Sequence, residues 1–138
     1  MPFKKIEWSE KLSIEISLMD QQHHGLIDLF NDFLEAVETE QPVAALCDLF
    51  EKIITDAKAH FRCEEQLMMN INYSSIQEHK RHHAQLLSDA VDIFAELKKA
   101  HSSKEIHASV LFLRALVLKH LGEQDMQIKS FLLRGIEP

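Results

Sequence analysis

The chain has 138 residues but only three glycines and three prolines, and two of the prolines stand at positions 2 and 138. So few turn formers argue against many short strands and tight hairpins, and favour long helices with few, short connections. Polar aromatics are nearly missing too, with one Tyr and one Trp. The two cysteines, Cys47 and Cys63, make neither a metal-type spacing nor a disulfide framework. Among 15 basic and 22 acidic residues no Lys/Arg cluster stands out, so nucleic acid is not an expected partner. The most apolar run, ASVLFLRALVL, is too short to span a bilayer and carries Arg114, so no membrane is expected either. The opening MPFKKIEWSEKLS has no apolar core of a secretory signal, and the expected location is the cytoplasm. What the chain has in excess is histidine, nine in all.

Hydrophobic residues make up 46% and charged residues 27%, the balance of one globular domain spanning residues 1–138. Apolar residues recur by threes and fours in four segments. The first, from about Met19 to Glu38, has the stripe His23, Leu26, Phe30, Phe33 and Val37. The second follows Pro42 and runs to about Met69, with Leu46, Phe50, Ile53, Ala57, His60, Glu64 and Leu67 on one face. The third opens on the capping-box pattern Ser75-Ile-Gln-Glu78 and carries Ile76, His79, His83, Leu86, Ala90, Ile93 and Leu97. The fourth opens on Ser102-Ser-Lys-Glu105 and carries Ile106, Val110, Leu113, Val117 and His120, with an interruption expected at Gly122. A short amphipathic tail, Met126 to Leu133, follows. No segment alternates like a strand. The expected fold is all-α: an up-down-up-down four-helix bundle with an irregular N-terminal arm (residues 1–18), anchored by Trp8, and a short C-terminal helix.

That topology decides where the polar stripe residues meet. The start of the first helix, the end of the second, the start of the third and the end of the fourth share one end of the bundle. His23, His60, Glu64, His79, His83 and His120 all lie at that end. A lone His on an apolar face is usually a core residue with a hydrogen-bond partner. Five together are a different matter, because each unpaired buried imidazole costs about 1–3 kcal/mol. A shared metal removes that cost. Imidazoles with carboxylates suit iron, manganese, zinc or copper, and the set is too large for one tetrahedral zinc. Two metals bridged by a carboxylate fit the count. A second carboxylate is then expected nearby. Asp125 is five residues beyond His120, about 140° round a straight helix. Spacing does not choose between it and Glu123, though a local break at Gly122 would bring Asp125 round.

The set DQQH (Asp20–His23), HFRCEE (His60–Glu65), HKRHH (His79–His83) and HLGEQD (His120–Asp125) resembles the hemerythrin family, specifically its single-domain bacterial members. The resemblance extends over almost the whole chain and fills every ligand position in order. It implies two iron ions joined by an oxo or hydroxo bridge, with His23, His60, Glu64, His79, His83, His120 and Asp125 as ligands and both carboxylates bridging. It further implies that His79, His83 and His120 saturate one iron and that the iron held by His23 and His60 keeps an open position. Dioxygen is the implied ligand and partner, bound reversibly for carriage, storage or sensing, with no enzymatic turnover. An apolar wall of Leu26, Phe30, Phe61, Leu113, Leu116 and Val117 is expected around it. Leu116 departs from the family, which commonly has Trp there. Two rival readings are a di-iron oxidase or peroxidase and a metal-binding sensory or interaction module. The oxidase class uses Glu-x-x-His motifs, and this chain contains none. Away from these positions, His82 is a one-step alternative to His83, and His24, His101 and His107 are expected in solvent. Arg62 and Glu65 are expected on a solvated face, and Cys63, Met68 and Met69 as packing.

Overall fold

The computed structural model describes residues 4–136, without the side chains of residues 123, 124, 135 and 136. Four helices, α1 (Ser17–Glu38), α2 (Val43–Asn70), α3 (Ile76–Lys98) and α4 (Ser103–Lys119), are joined by residues 39–42, 71–75 and 99–102. A π-helical turn, His120–Gln124, carries α4 directly into α5 (Asp125–Ile136). No strand occurs among the described residues, and none of their helices is long and apolar enough to cross a membrane. The connections are short, so successive helices run antiparallel.

Two of the helix ends show how the chain turns with so little glycine. After α1, Glu40 adopts φ 57°, and after α2, Asn72 adopts φ 54°. In each turn the next amide reaches back five residues: Gln41 N–H to Ala36 O at 3.0 Å, and Tyr73 N–H to Met68 O at 2.9 Å. The companion bonds, Glu40 N–H to Val37 O and Asn72 N–H to Met69 O, complete a Schellman motif at both ends. Asn tolerates the left-handed region; Glu pays more for it. At the helix starts, the two capping-box patterns differ in outcome. Ser102 accepts from Glu105 N–H at 3.2 Å. Ser75 sits at the N-cap with φ −100° and ψ 24°, and its side chain makes no cap bond there. The extended backbone that an N-cap needs is missing at Ser75.

The apolar stripes meet where the spacing places them. Phe30, Phe33, Phe50, Leu46 and Leu97 are buried at the centre of the bundle, with Phe33 edge-on to Phe50 and Phe94 stacked on it. A second, smaller cluster of Met68, Tyr73 and Ile128 forms where α5 folds over the end of α2. It puts a roof over that end. The N-terminal arm is tied down more firmly than its irregularity suggests. Ile6 N–H donates to Asn31 Oδ1 at 3.0 Å, and Asn31 Nδ2 donates back to Ile6 O at 2.8 Å. The Trp8 ring lies 4.2 Å from the His24 ring, so Trp8 does anchor the arm. Asp20 accepts from the Ser13 hydroxyl at 2.5 Å and from Ile14 N–H at 3.0 Å, closing the arm onto the first turn of α1.

Candidate metal centre

The stripes place five imidazoles and two carboxylates together under that roof: His23 from α1, His60 and Glu64 from α2, His79 and His83 from α3, and His120 and Asp125 around the π turn. All seven are buried. Each imidazole turns Nε2 inward. His60 Nε2 lies 3.0 Å from His23 Nε2 and 3.1 Å from His120 Nε2, so three ring nitrogens crowd one point.

Glu64 and Asp125 divide the cluster in the same way. Glu64 Oε2 lies 3.0 Å from His60 Nε2, whereas its Oε1 lies 2.6 Å from His79 Nε2 and 3.0 Å from His83 Nε2. Asp125 Oδ2 lies 2.5 Å from His23 Nε2 and 3.0 Å from His120 Nε2, whereas its Oδ1 faces His79 Nε2 at 3.3 Å. Two ligand sets result, His23/His60/His120 and His79/His83, each with access to both carboxylates. Within each set the candidate ligand atoms all lie within 4.8 Å of one another. His120 thus stands with His23 and His60, whereas the family resemblance groups it with His79 and His83.

Asp125 reaches the site by a different route from the one expected. The helix does not break at Gly122, where no positive φ occurs. The backbone widens instead: Asp125 N–H bonds to His120 O, five residues back. A π turn takes five residues to come round, so His120 and Asp125 end on one face. The side chain of the rival carboxylate, Glu123, lies outside the described residues.

The electrostatics are those of a site short of cations. Burial alone would depress the His23 and His79 pKa values, but the adjacent carboxylates Asp125 and Glu64 outweigh it and raise both to about 9. For His60, burial wins, helped by His120 and His23 against the pull of Glu64, and its pKa falls. Burial opposes ionisation of Glu64 and Asp125, yet the imidazoles around them hold both carboxyls below their ordinary values. Even so, Glu64 Oε2 and both oxygens of Asp125 receive no hydrogen bond of acceptable geometry. Buried carboxylate oxygens left in that condition are costly, and a cation between them supplies what the hydrogen bonds do not. The donor set therefore fits metal.

Two outer contacts had no counterpart in the sequence reading. His60 Nδ1 pairs with Gln22 Oε1 at 2.7 Å, and His83 Nδ1 pairs with Glu65 Oε2 at 3.0 Å. Glu65 is thus no solvated bystander, although Arg62 is exposed as expected. Cys63 and Met69 are exposed, because the outer face of α2 carries them away from the bundle, whereas Met68 packs under α5. His24, His101 and His107 are all exposed, and His82 is half-buried.

An apolar cavity of about 60 Å³ runs from His120 between α2, α3 and α4. Leu26, Phe61, Leu113, Leu116 and Val117 line it, and among the described residues His120 is the only polar one on its wall. Phe30, expected on that wall, sits in the central core instead. Phe61 stacks on His83 with ring centroids 4.0 Å apart and meets His120 edge-on at 4.9 Å.

Fold and site together define a helical bundle built to hold metal at one end. The family model described as "Hemerythrin HHE cation binding domain" matches residues 15–132, and the chain belongs to the hemerythrin family. It is 33% identical to a bacteriohemerythrin of Stenotrophomonas maltophilia over 76 residues, which cover 55% of this chain and 49% of that protein. This match therefore spans about half of the bacterial relative. It is 26% identical to a myohemerythrin of Riftia pachyptila over 125 residues, 91% of this chain and 92% of that protein. A hemerythrin-like protein of Naegleria gruberi is similar at the same identity and coverage.

Proposed function

We propose that the protein binds dioxygen reversibly at two iron ions held by His23, His60, Glu64, His79, His83, His120 and Asp125, as a carrier, store or sensor rather than as an enzyme. The observation that carries this reading is the division of both carboxylates. Glu64 and Asp125 each turn one oxygen toward each of two histidine sets, as bridges between two metal positions require. Iron held by these seven residues would supply the electrons for reversible binding of dioxygen. The chain's own part is to bind, to limit and to exclude. Five imidazoles and two carboxylates hold less negative charge than the glutamate-rich sites of di-iron oxidases, so they stabilise highly oxidised iron less. The cavity at His120 is a few times the space one water needs. It suits a diatomic gas better than an organic substrate. Its apolar wall excludes water, and Phe61 covers His83 and His120 beside it.

The test is made on iron-loaded protein. Elemental analysis should give about two irons per chain. The reduced, anaerobic protein mixed with oxygen should develop a visible charge-transfer band that disappears on deoxygenation and returns over several cycles. One-way oxidation, with no recovery of the reduced spectrum, would overturn reversible binding and favour the oxidase class.

A further inference from the structure

Beyond the seven central residues, two side chains act on the far side of the imidazoles, and they differ in charge. Gln22, one residue before His23 on α1, reaches across to His60 Nδ1 at 2.7 Å. Glu65, one residue after Glu64 on α2, reaches across to His83 Nδ1 at 3.0 Å. The Nδ1 atoms of His23, His79 and His120 are buried and have no hydrogen-bond partner among the described residues. Only His60 and His83 are therefore gripped from outside, one in each of the two sets.

From these contacts we infer that Glu65 and Gln22 are positioning residues that make the two metal positions unequal, the His83 position being the one that better stabilises the higher oxidation state. This inference rests on the two-metal reading above. A carboxylate can only accept, so Glu65 fixes the proton of His83 on Nδ1 and leaves the Nε2 lone pair to an ion. The same holds for Oε1 of Gln22 at His60. Both contacts lock a ring and its tautomer. They differ in what they give the ring. A carboxylate draws the Nδ1 proton toward itself and makes Nε2 a stronger donor, while a neutral amide does so far less. Glu65 has 29% of its side chain in solvent, so it holds His83 from the rim of the cluster. The donor strength falls on one side of the bridge by the choice of Glu against Gln.

The test uses the full chain and the near-isosteric exchanges Glu65→Gln and Gln22→Glu. Ferrous ion, added anaerobically against a competing chelator, reports affinity, and spectroelectrochemistry of the loaded protein reports the midpoint potentials. Glu65→Gln is expected to weaken one of two iron-binding steps by about 10-fold or more and to raise one potential, leaving the other step near wild type. Gln22→Glu is expected to lower the other potential. A purely structural role would predict instead that Glu65→Gln, which keeps the hydrogen bond, leaves both readouts at their wild-type values. Potentials and affinities unchanged in Glu65→Gln, with two irons still in the wild type, would overturn the inference and leave the two-metal reading standing. Fewer than two irons in the wild type would overturn that reading and the inference with it.

Discussion

His82 and His83 are neighbours in sequence and occupy opposite situations. The ring of His83 is buried, with Nε2 3.0 Å from Glu64, Nδ1 3.0 Å from Glu65 and Phe61 stacked on its face. His82 is half-buried, and its Nδ1 has no hydrogen-bond partner among the described residues. His83→Ala is therefore expected to remove roughly half of the bound iron, and His82→Ala to leave iron content and spectrum unchanged. Elemental analysis of the two variants, purified side by side, decides it; the reverse outcome would place the stripe of α3 one residue out of register. Residues such as His83 were legible in the sequence because they sit on an apolar stripe, where an imidazole is conspicuous. Gln22 and Glu65 were not. They lie beside the stripes and act on ring nitrogens that face away from the centre, so helical periodicity gives them no mark. Their position next to His23 and Glu64 was the available signal, and it becomes readable only once the partner helix is in place.

At the scale of one element, the junction of α4 and α5 shows where a 3.6-residue period misleads. Counting along a straight helix puts Asp125 about 140° from His120. A break at Gly122 looked like the remedy, yet the chain stays helical and gains one residue per turn instead. Gly122 is exposed, and a Cβ added there meets nothing within 4 Å. Gly122→Ala is accordingly expected to keep full iron content and to stabilise the protein by about 0.5–1 kcal/mol, the usual gain of replacing a helical glycine. Chemical denaturation of the iron-loaded variant measures the gain. Loss of iron together with lower stability would show that glycine is required for the turn after all. No local pattern announces a π turn. It exists because two residues five apart are wanted on one face.

For the molecule as a whole, the bundle was largely legible: four stripes, short connections and topology were enough to bring the starts of α1 and α3 and the ends of α2 and α4 together. The polarity of the site has a cost that only the three-dimensional arrangement reveals. Without metal, His23 and His79 hold protons up to about pH 9, well above their ordinary value of 6.5. Metal binding requires neutral imidazole, so loading at pH 7 is expected to release about two protons per chain, measurable with an indicator dye in weak buffer. The sign for stability follows. A raised histidine pKa favours the folded state fully below pH 6.5, and that favour is lost as pH rises toward 9. His60, with its lowered pKa, contributes in the opposite direction, below its ordinary value. The metal-free protein should therefore lose stability between pH 6.5 and 9 more steeply than the loaded one. At pH 7, removing iron is expected to lower Tm by roughly 10 °C or more, the scale of binding at a thousandfold excess over Kd. Equal melting curves with and without iron would mean that the cluster is content without a cation.

The first residue of α5 is Asp125, and the same helix supplies Ile128 to the roof over the site. Carboxylate and lid are one piece. Peeling α5 away from the bundle would withdraw the Asp125 carboxylate and open the site to water in a single motion. Exchange of a metal held there would then follow how often α5 lifts away, a local rather than a global unfolding. The packing of Ile128 against Met68 and Tyr73 would thus act as the clasp that decides how long a metal stays.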